Sequence, residues 1–267
     1  MKAQGGELTK SIVMPQKEFN KKVSIILPNY NSSKFITSTI KSVTDQSYKN
    51  WELVIVDDCS DKKTKKILSK YRKNKKIKII FLKKNKGAGY CRNLAIQKSN
   101  STYLAFIDSD DLWEKNKLKY QLKFIFLNNY DFTYTNFKIF SENQNNYKKI
   151  KSLKKFNFSN FTKDTSIATS SMIVKRSTAK NIKFTNTKIC EDYFFKCKIL
   201  RKTKFAYCFD QYLTKYRIRN NSLQSNRLRN FFWIWKINKK FNKFNFIENL
   251  SSVFFISLNS IKKYRLR

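Results

Sequence analysis

Residues 106–113 read FIDSDDLW, so Asp108, Asp110 and Asp111 stand within four positions directly behind an apolar run. Carboxylates that close repel one another, so the cluster must either face water or meet a cation. Asp108 and Asp110 form a D-x-D pair whose hard oxygens suit Mg²⁺ or Mn²⁺ bridging to a diphosphate. Two further acidic pairs stand out: Asp57 and Asp58 close WELVIVDD, and Glu191 and Asp192 open CEDYFFKC. In LPNYN, the ring of Tyr30 can stack on a nucleotide base, and Asp58 can accept from a base or ribose donor. Each feature also has a plain structural counterpart, because aspartates after strands form turns and cap helices.

These residues need elements to hold them. VSIILP (23–28) is a β-branched apolar run of the buried-strand kind, and SSKFITSTIKSVTDQ after it offers a serine cap and helical apolar spacing at Phe35, Ile36, Ile40 and Val43. The alternation recurs as WELVIVDD then DKKTKKILSKYRKN, and as IKIIFL then GAGYCRNLAIQKS. STYLAFID (101–108) is a fourth strand, with a helix from about Glu114 to Asn128. Such a repeat predicts a doubly wound, mostly parallel α/β sheet covered on both faces. Ligands of open parallel sheets bind outside the carboxyl ends of the strands. The ends at Pro28–Asn29–Tyr30, Asp57–Asp58 and Asp108–Ser109–Asp110 are therefore expected to share one crevice. Beyond Asp131 the pattern loosens into a mixed extension: a strand at DFTYTNFKIF, polar irregular chain over 141–165, a strand at SIATSSMIVKR, a helix at CEDYFFKCKILRK, and two strands at KFAYCFD and QYLTKYRI.

Composition bounds the function classes. The chain of 267 residues carries 57 Lys and Arg against 18 Asp and Glu, a net charge of +39. Lysines are spread along the whole chain beside many Asn, Ile, Phe and Tyr, with only 4 Gly and 2 Pro, which reads as a compositional bias of solvated positions. No zinc-finger spacing or RNA-binding aromatic signature accompanies the charge, so no specific nucleic acid is expected, and a basic nucleic-acid-binding protein is the non-enzyme alternative. Five cysteines without a C-x-x-C, and no histidine, argue against zinc and against a disulfide framework. MKAQGGELTK has no apolar core of a signal peptide, and no run of about 18 apolar residues occurs, so a cytoplasmic protein without a spanning helix is expected.

Taken together, LPNYN, VDDCSD, NKGAGYCRN, FIDSDD and CED at these intervals resemble the family 2 glycosyltransferases of the GT-A fold, over about residues 22–220. SIATSSMIVKR, YRIRNNSLQS and the tail are similar to bacterial members that assemble surface polysaccharide or lipopolysaccharide. The resemblance implies a metal-dependent, inverting transfer from a nucleotide-diphosphate sugar, UDP-linked, to a saccharide or lipid-linked saccharide. It implies base-binding roles for Tyr30 and Asp58, with Pro28 on the same donor side, the metal role for Asp110, Asp108 at ribose and metal, and Asp192 as catalytic base. Arg92 then reaches the diphosphate or sugar, or braces its helix to the sheet. Gly87 and Gly89 either cradle phosphate or simply shape a turn, and Asp111 caps a helix near Leu112 and Trp113 or faces solvent. Arg219 stands where members of the family commonly carry His. A sugar nucleotidyltransferase, sharing sheet, metal and nucleotide, is the enzyme alternative.

The expected organisation is an N-terminal extension over 1–21, a GT-A domain over 22–220 with a donor half (22–130) and an acceptor half (131–220), and a basic aromatic helical tail over 221–267. Bulky aromatics mixed with Lys and Arg in that tail suit an interfacial helix on an anionic membrane surface, at the inner face of the cell membrane. The same aromatics suit packing on the catalytic domain.

Overall fold

A computed structural model of the chain describes residues 20–141, 147–187, 189–218 and 227–264. Strands β1 (Val23–Asn29), β2 (Trp51–Asp57), β3 (Ile77–Phe81) and β4 (Tyr103–Phe106) pair in parallel in the order β3-β2-β1-β4. Helices α1 (Ile36–Thr44), α2 (Lys62–Ser69) and α3 (Ala88–Gln97) cross between them. Successive side chains of a strand point to opposite faces, which is why β1 carries apolar residues on both, with only Ser24 and the terminal Asn29 polar. Val23, Ile25 and Leu27 pack with Ile36, Ile40 and Val43 of α1 on one face, while Ile26 joins Cys91 and Ala95 of α3 on the other. The helix expected from Glu114 is α4 (Lys117–Asn128), because Leu112–Trp113 first form a short strand, β5.

The second half continues the same sheet. β6 (Phe132–Ser141) is followed by the short β7 (Lys148–Ile150), which pairs with it, by β8 (Lys155–Phe156), which pairs with β10, and by β9 (Ile173–Lys175) and β10 (Ala206–Ile218), and the order runs on as β4-β9-β6-β10-β5. β9 is antiparallel to both β4 and β6, whereas β6 and β10 are parallel, so the extension is mixed as expected. Helices α5 (Phe158–Phe161), α6 (Arg176–Ala179) and α7 (Glu191–Thr203) complete it. The tail forms α8 (Arg227–Ile237), a π-helical turn (Asn238–Asn242) and α9 (Phe246–Tyr264). Ile234, Ile237 and Ile256 from these helices enter the core on the α3 and α7 side of the sheet. No helix among the described residues is long and apolar enough to cross a membrane.

Four local expectations change. KFAYCFD and QYLTKYRI are one strand, β10, with register shifts between Phe209 and Thr214. With no Gly or Pro to reverse the chain, the polar pair Asp210–Gln211 is absorbed as a bulge, and Asn136 of β6 pins it by donating to Asp210 (2.6 Å). SIATSSMIVKR yields only three strand residues after a 3₁₀ turn at Thr169–Ser171, because the Ser170 and Ser171 carbonyls accept from the side chains of Trp113 and Gln121 instead of a ladder. The serine expected to cap α1 does not: the Ser32 hydroxyl donates to Asn29 Oδ1. Asp111 caps no helix, since β5 follows it, and it is 1% exposed.

Aromatic packing fixes α7 over the end of β4. Phe195 of α7 stacks on Phe184 (centroids 4.0 Å apart), and both meet Phe106 of β4 at 5.7 Å. Such pairs each add about 0.5–1.5 kcal/mol beyond burial. Close approach requires Gly89, where an added Cβ would lie 2.4 Å from the Thr185 carbonyl oxygen and 3.2 Å from Glu191 Cβ. Gly87 instead serves its φ of +86°, in the left-handed region at the entry to α3. Gly89→Ala is therefore expected to cost about 1–3 kcal/mol in urea unfolding through overpacking; an unchanged midpoint would show that the contact has room to open.

Candidate active site

The three strand ends meet as expected, and hydrogen bonds hold them in register. Asn29 ends β1 opposite Asp57 of β2 and donates to its Oδ1 (2.6 Å), while Ser60 N donates to Asp57 Oδ2 (3.1 Å). The backbone N–H of Asp58 donates to the Asn29 carbonyl (2.8 Å), which sets Asp58 beside the turn that presents Tyr30. Pro28 is buried in β1, whereas the Tyr30 ring is 52% exposed at the mouth of the crevice. Asp58 itself is buried and accepts from the backbone N–H groups of Lys86 (2.7 Å) and Gly87 (2.8 Å). It thus organises the glycine turn before α3.

Arg92 is the junction of the site. Its guanidinium is buried and donates to Asp108 Oδ1 at the end of β4 (2.6 Å) and to Glu191 Oε1 at the start of α7 (2.5 Å), with Phe184 against its face (5.3 Å). Burial alone would lower its proton affinity, but the Asp108 and Glu191 charges outweigh that and hold it protonated. Of the two sequence readings of Arg92, the structure shows the bracing one: it ties α3 to β4 and α7 through Asp108 and Glu191. Glu191 shows the opposite balance: burial raises its carboxyl above the usual range despite Arg92.

Behind the D-x-D pair, Asp111 accepts from Ser170 Oγ (2.5 Å) and from the backbone N–H of Arg217 (2.9 Å). Burial first, then the charges of Asp110 and Asp108, push its carboxyl well up. Arg217 Nε also donates to the Asp110 carbonyl (2.9 Å), so β10 holds the loop from behind while Asp108 and Asp110 stay half-buried at its front. Two adjacent carboxylates with hard oxygens fit a Mg²⁺ or Mn²⁺ ion, which is ordinarily bound by one or two carboxylates completed by substrate phosphates. Among the described residues, no group of three or more His, Cys, Asp and Glu gathers as a metal site.

Asp192 sits one residue beyond Glu191 in the first turn of α7, where the helix dipole favours a negative charge. Lys196, one turn on and 4% exposed, donates to Asp192 Oδ2 (2.7 Å) and to Thr169 Oγ1 (2.9 Å), and Thr169 Oγ1 donates to the same carboxylate (2.6 Å). Burial would raise the Asp192 carboxyl, yet Lys196, Arg92 and the two hydrogen bonds hold it far below the usual carboxylate range. Lys196 and Thr169 escaped the sequence reading. The i,i+4 spacing of Asp192 and Lys196 was the visible signal for one, while Thr169 arrives from another element. Arg219 lies outside the described residues.

Comparisons with known proteins identify the family and the fold. Residues 24–209 match the profile of Glycosyl transferase family 2. The chain is similar to the putative teichuronic acid biosynthesis glycosyltransferase TuaG of Bacillus subtilis, 31% identical over 243 residues that cover 90% of this chain and 96% of that one. It is also similar to the UDP-Glc:alpha-D-GlcNAc-diphosphoundecaprenol beta-1,3-glucosyltransferase WfgD of Escherichia coli, 30% identical over 240 residues, 90% of this chain and 92% of that one. The crystal structure of S. aureus TarS 1-349 in complex with UDP-GlcNAc superposes with a TM-score of 0.71 at 23% identity, covering 92% of this chain and 76% of that one, which shows the shared GT-A fold. With the family profile spanning both halves of the sheet and relatives aligned over nearly their whole length, the chain belongs to glycosyl transferase family 2 and is a glycosyltransferase.

Proposed function

We propose that the chain transfers a sugar from a UDP-sugar to a saccharide on a lipid diphosphate, with inversion, in cell-surface polysaccharide assembly. The observation that carries this reading is the Arg92 junction, which sets the D-x-D pair at the end of β4 beside the carboxylate at the start of α7. Support for donor and acceptor comes from the substrates in the WfgD name and from the UDP-GlcNAc held by TarS. A lipid-carried acceptor would put the working site at the inner face of the cell membrane. On this reading the transferase unit is 22–220, with donor recognition in 22–130 and acceptor recognition in 131–220.

Tyr30 stacks on the base, Pro28 shapes the strand end beneath it, and Asp58 accepts from the base or ribose. Asp108 and Asp110 hold Mg²⁺ or Mn²⁺, which when bound would offset the negative charge left on the departing diphosphate. Asp192 takes the proton of the acceptor hydroxyl as that oxygen bonds to the anomeric carbon and the diphosphate leaves from the opposite face. A single displacement of this kind inverts the centre. Lys196 keeps Asp192 deprotonated at every working pH but also weakens it as a base. The incoming diphosphate brings negative charge into the same crevice and raises the carboxylate's proton affinity when transfer requires it.

Three measurements test the roles. Tyr30→Ala should weaken UDP binding by about 1–3 kcal/mol in calorimetry; an unchanged affinity would move the base elsewhere. Asp192→Asn should bind UDP normally yet transfer about 10²–10⁴ times more slowly, and near-normal turnover would remove Asp192 from the base role. Asp192 also carries a pH signature. A carboxyl held below its unfolded value contributes stability that is full above that value and is lost as pH falls through the folded one. Lys196→Met should therefore move the acid limb of the rate profile to higher pH, and an unmoved limb would mean that another group sets it.

A further inference from the structure

Helix α9 is built inside out. Asn249 and Ser252 are both 1% exposed and face the protein, where Asn249 Nδ2 donates to the Trp235 carbonyl (3.1 Å) and Ser252 Oγ to the Thr162 carbonyl (2.6 Å). Further along the same side, Asn259 Nδ2 donates to the Lys163 carbonyl (3.0 Å) and Lys263 pairs with Asp164. Ile256 is the only fully apolar side chain of α9 buried in the core among the described residues. The opposite side carries Ile247, Leu250, Phe254, Leu258 and Ile261, all exposed, with Ile247 at 77% and Phe254 at 55%. At 100° per residue these five lie within about 80° of one another, in a stripe about 21 Å long. Asn245 and Glu248 close a reciprocal capping box at the start of the helix, while the bonds from Asn249, Ser252, Asn259 and Lys263 to the rest of the chain fix its rotation.

Water is the wrong solvent for such a stripe, and the flanking charge says what should replace it. Between Arg227 and Tyr264 the chain holds one acid, Glu248, against eight Lys and Arg. Lys236, Lys239, Lys240, Lys243 and Lys262 are exposed. At the start of α9, the ring of Phe246 meets Trp235 of α8 edge to face at 5.6 Å, and α8 adds the exposed Leu228 and Phe232. A second copy of the chain would bring one strongly basic tail against another, whereas an anionic bilayer offers acyl chains to the stripe and opposite charge to its flanks.

We propose that the outward face of α9 is a docking surface for an anionic lipid bilayer, entered by Ile247, Leu250, Phe254, Leu258 and Ile261 and held by the surrounding lysines. This surface stands apart from the donor crevice and does not depend on the transfer reading. The test is co-sedimentation of the full chain with phosphatidylcholine vesicles with and without phosphatidylglycerol. Binding is expected to the anionic vesicles, to weaken as salt rises, and to fall at least about tenfold in Leu250→Ser/Phe254→Ser/Leu258→Ser with thermal unfolding unchanged. The charge variant Lys239→Glu/Lys240→Glu, which leaves the apolar face intact, should lose anionic preference on its own. Equal binding to neutral vesicles, or undiminished binding by both variants, would overturn the proposal. So would a dimer in light scattering that the triple variant makes monomeric, or binding that emerges only after residues 1–19 are removed, since each would assign the stripe to another occupant.

Discussion

The site depends on a buried cation that cannot be left unpaired. Removing a guanidinium from water costs several kcal/mol, and the fold recovers that only if both Asp108 and Glu191 reach Arg92. This one requirement joins three elements distant in sequence: α3, the end of β4 and the start of α7. Asp192 inherits its position from it, one residue along the same helical turn. The loops that carry Tyr30, Asp58, Asp108 and Asp110 are pinned to rigid elements, as a reaction needing sub-ångström placement demands.

Charge distribution gives the same site its character. The chain has only 18 acidic residues, yet Asp108, Glu191 and Asp192 gather around Arg92 and Lys196, with Asp110 and Asp111 close behind Asp108. Their environments are driven apart: burial pushes Asp111 and Glu191 up, while Lys196 and Arg92 hold Asp192 down. On the proposed reading, this local acidity in a strongly basic protein would suit a divalent cation between Asp108 and Asp110. On the same reading, the separated proton affinities would leave Asp192 ionised for the proton it is proposed to take.

The parallel half of the fold was legible in the sequence because each strand is a short apolar run followed by a helical stripe, and burial on both faces requires that pattern. The strand ends were legible for the same reason, since the topology carries Tyr30, Asp58 and Asp108 to one edge. Tertiary hydrogen bonds were not. Nothing in SIATSSMIVKR tells that Trp113 and Gln121 will claim its carbonyls, that Thr169 will meet Asp192, or that Asp111 will be sealed under Ser170. The polarity of α9 was likewise hidden. Its mixture of aromatics and lysines fits either packing or an interface, and only the burial of Asn249 and Ser252 decides which face looks outward.

The central claim is a single displacement at the anomeric carbon with Asp192 as proton acceptor. The most direct measurement is proton NMR of the disaccharide formed from an α-linked UDP-sugar, reading the anomeric coupling of the new bond. A β linkage is the predicted result. An α linkage would require a double displacement or front-face attack, and would contradict the account.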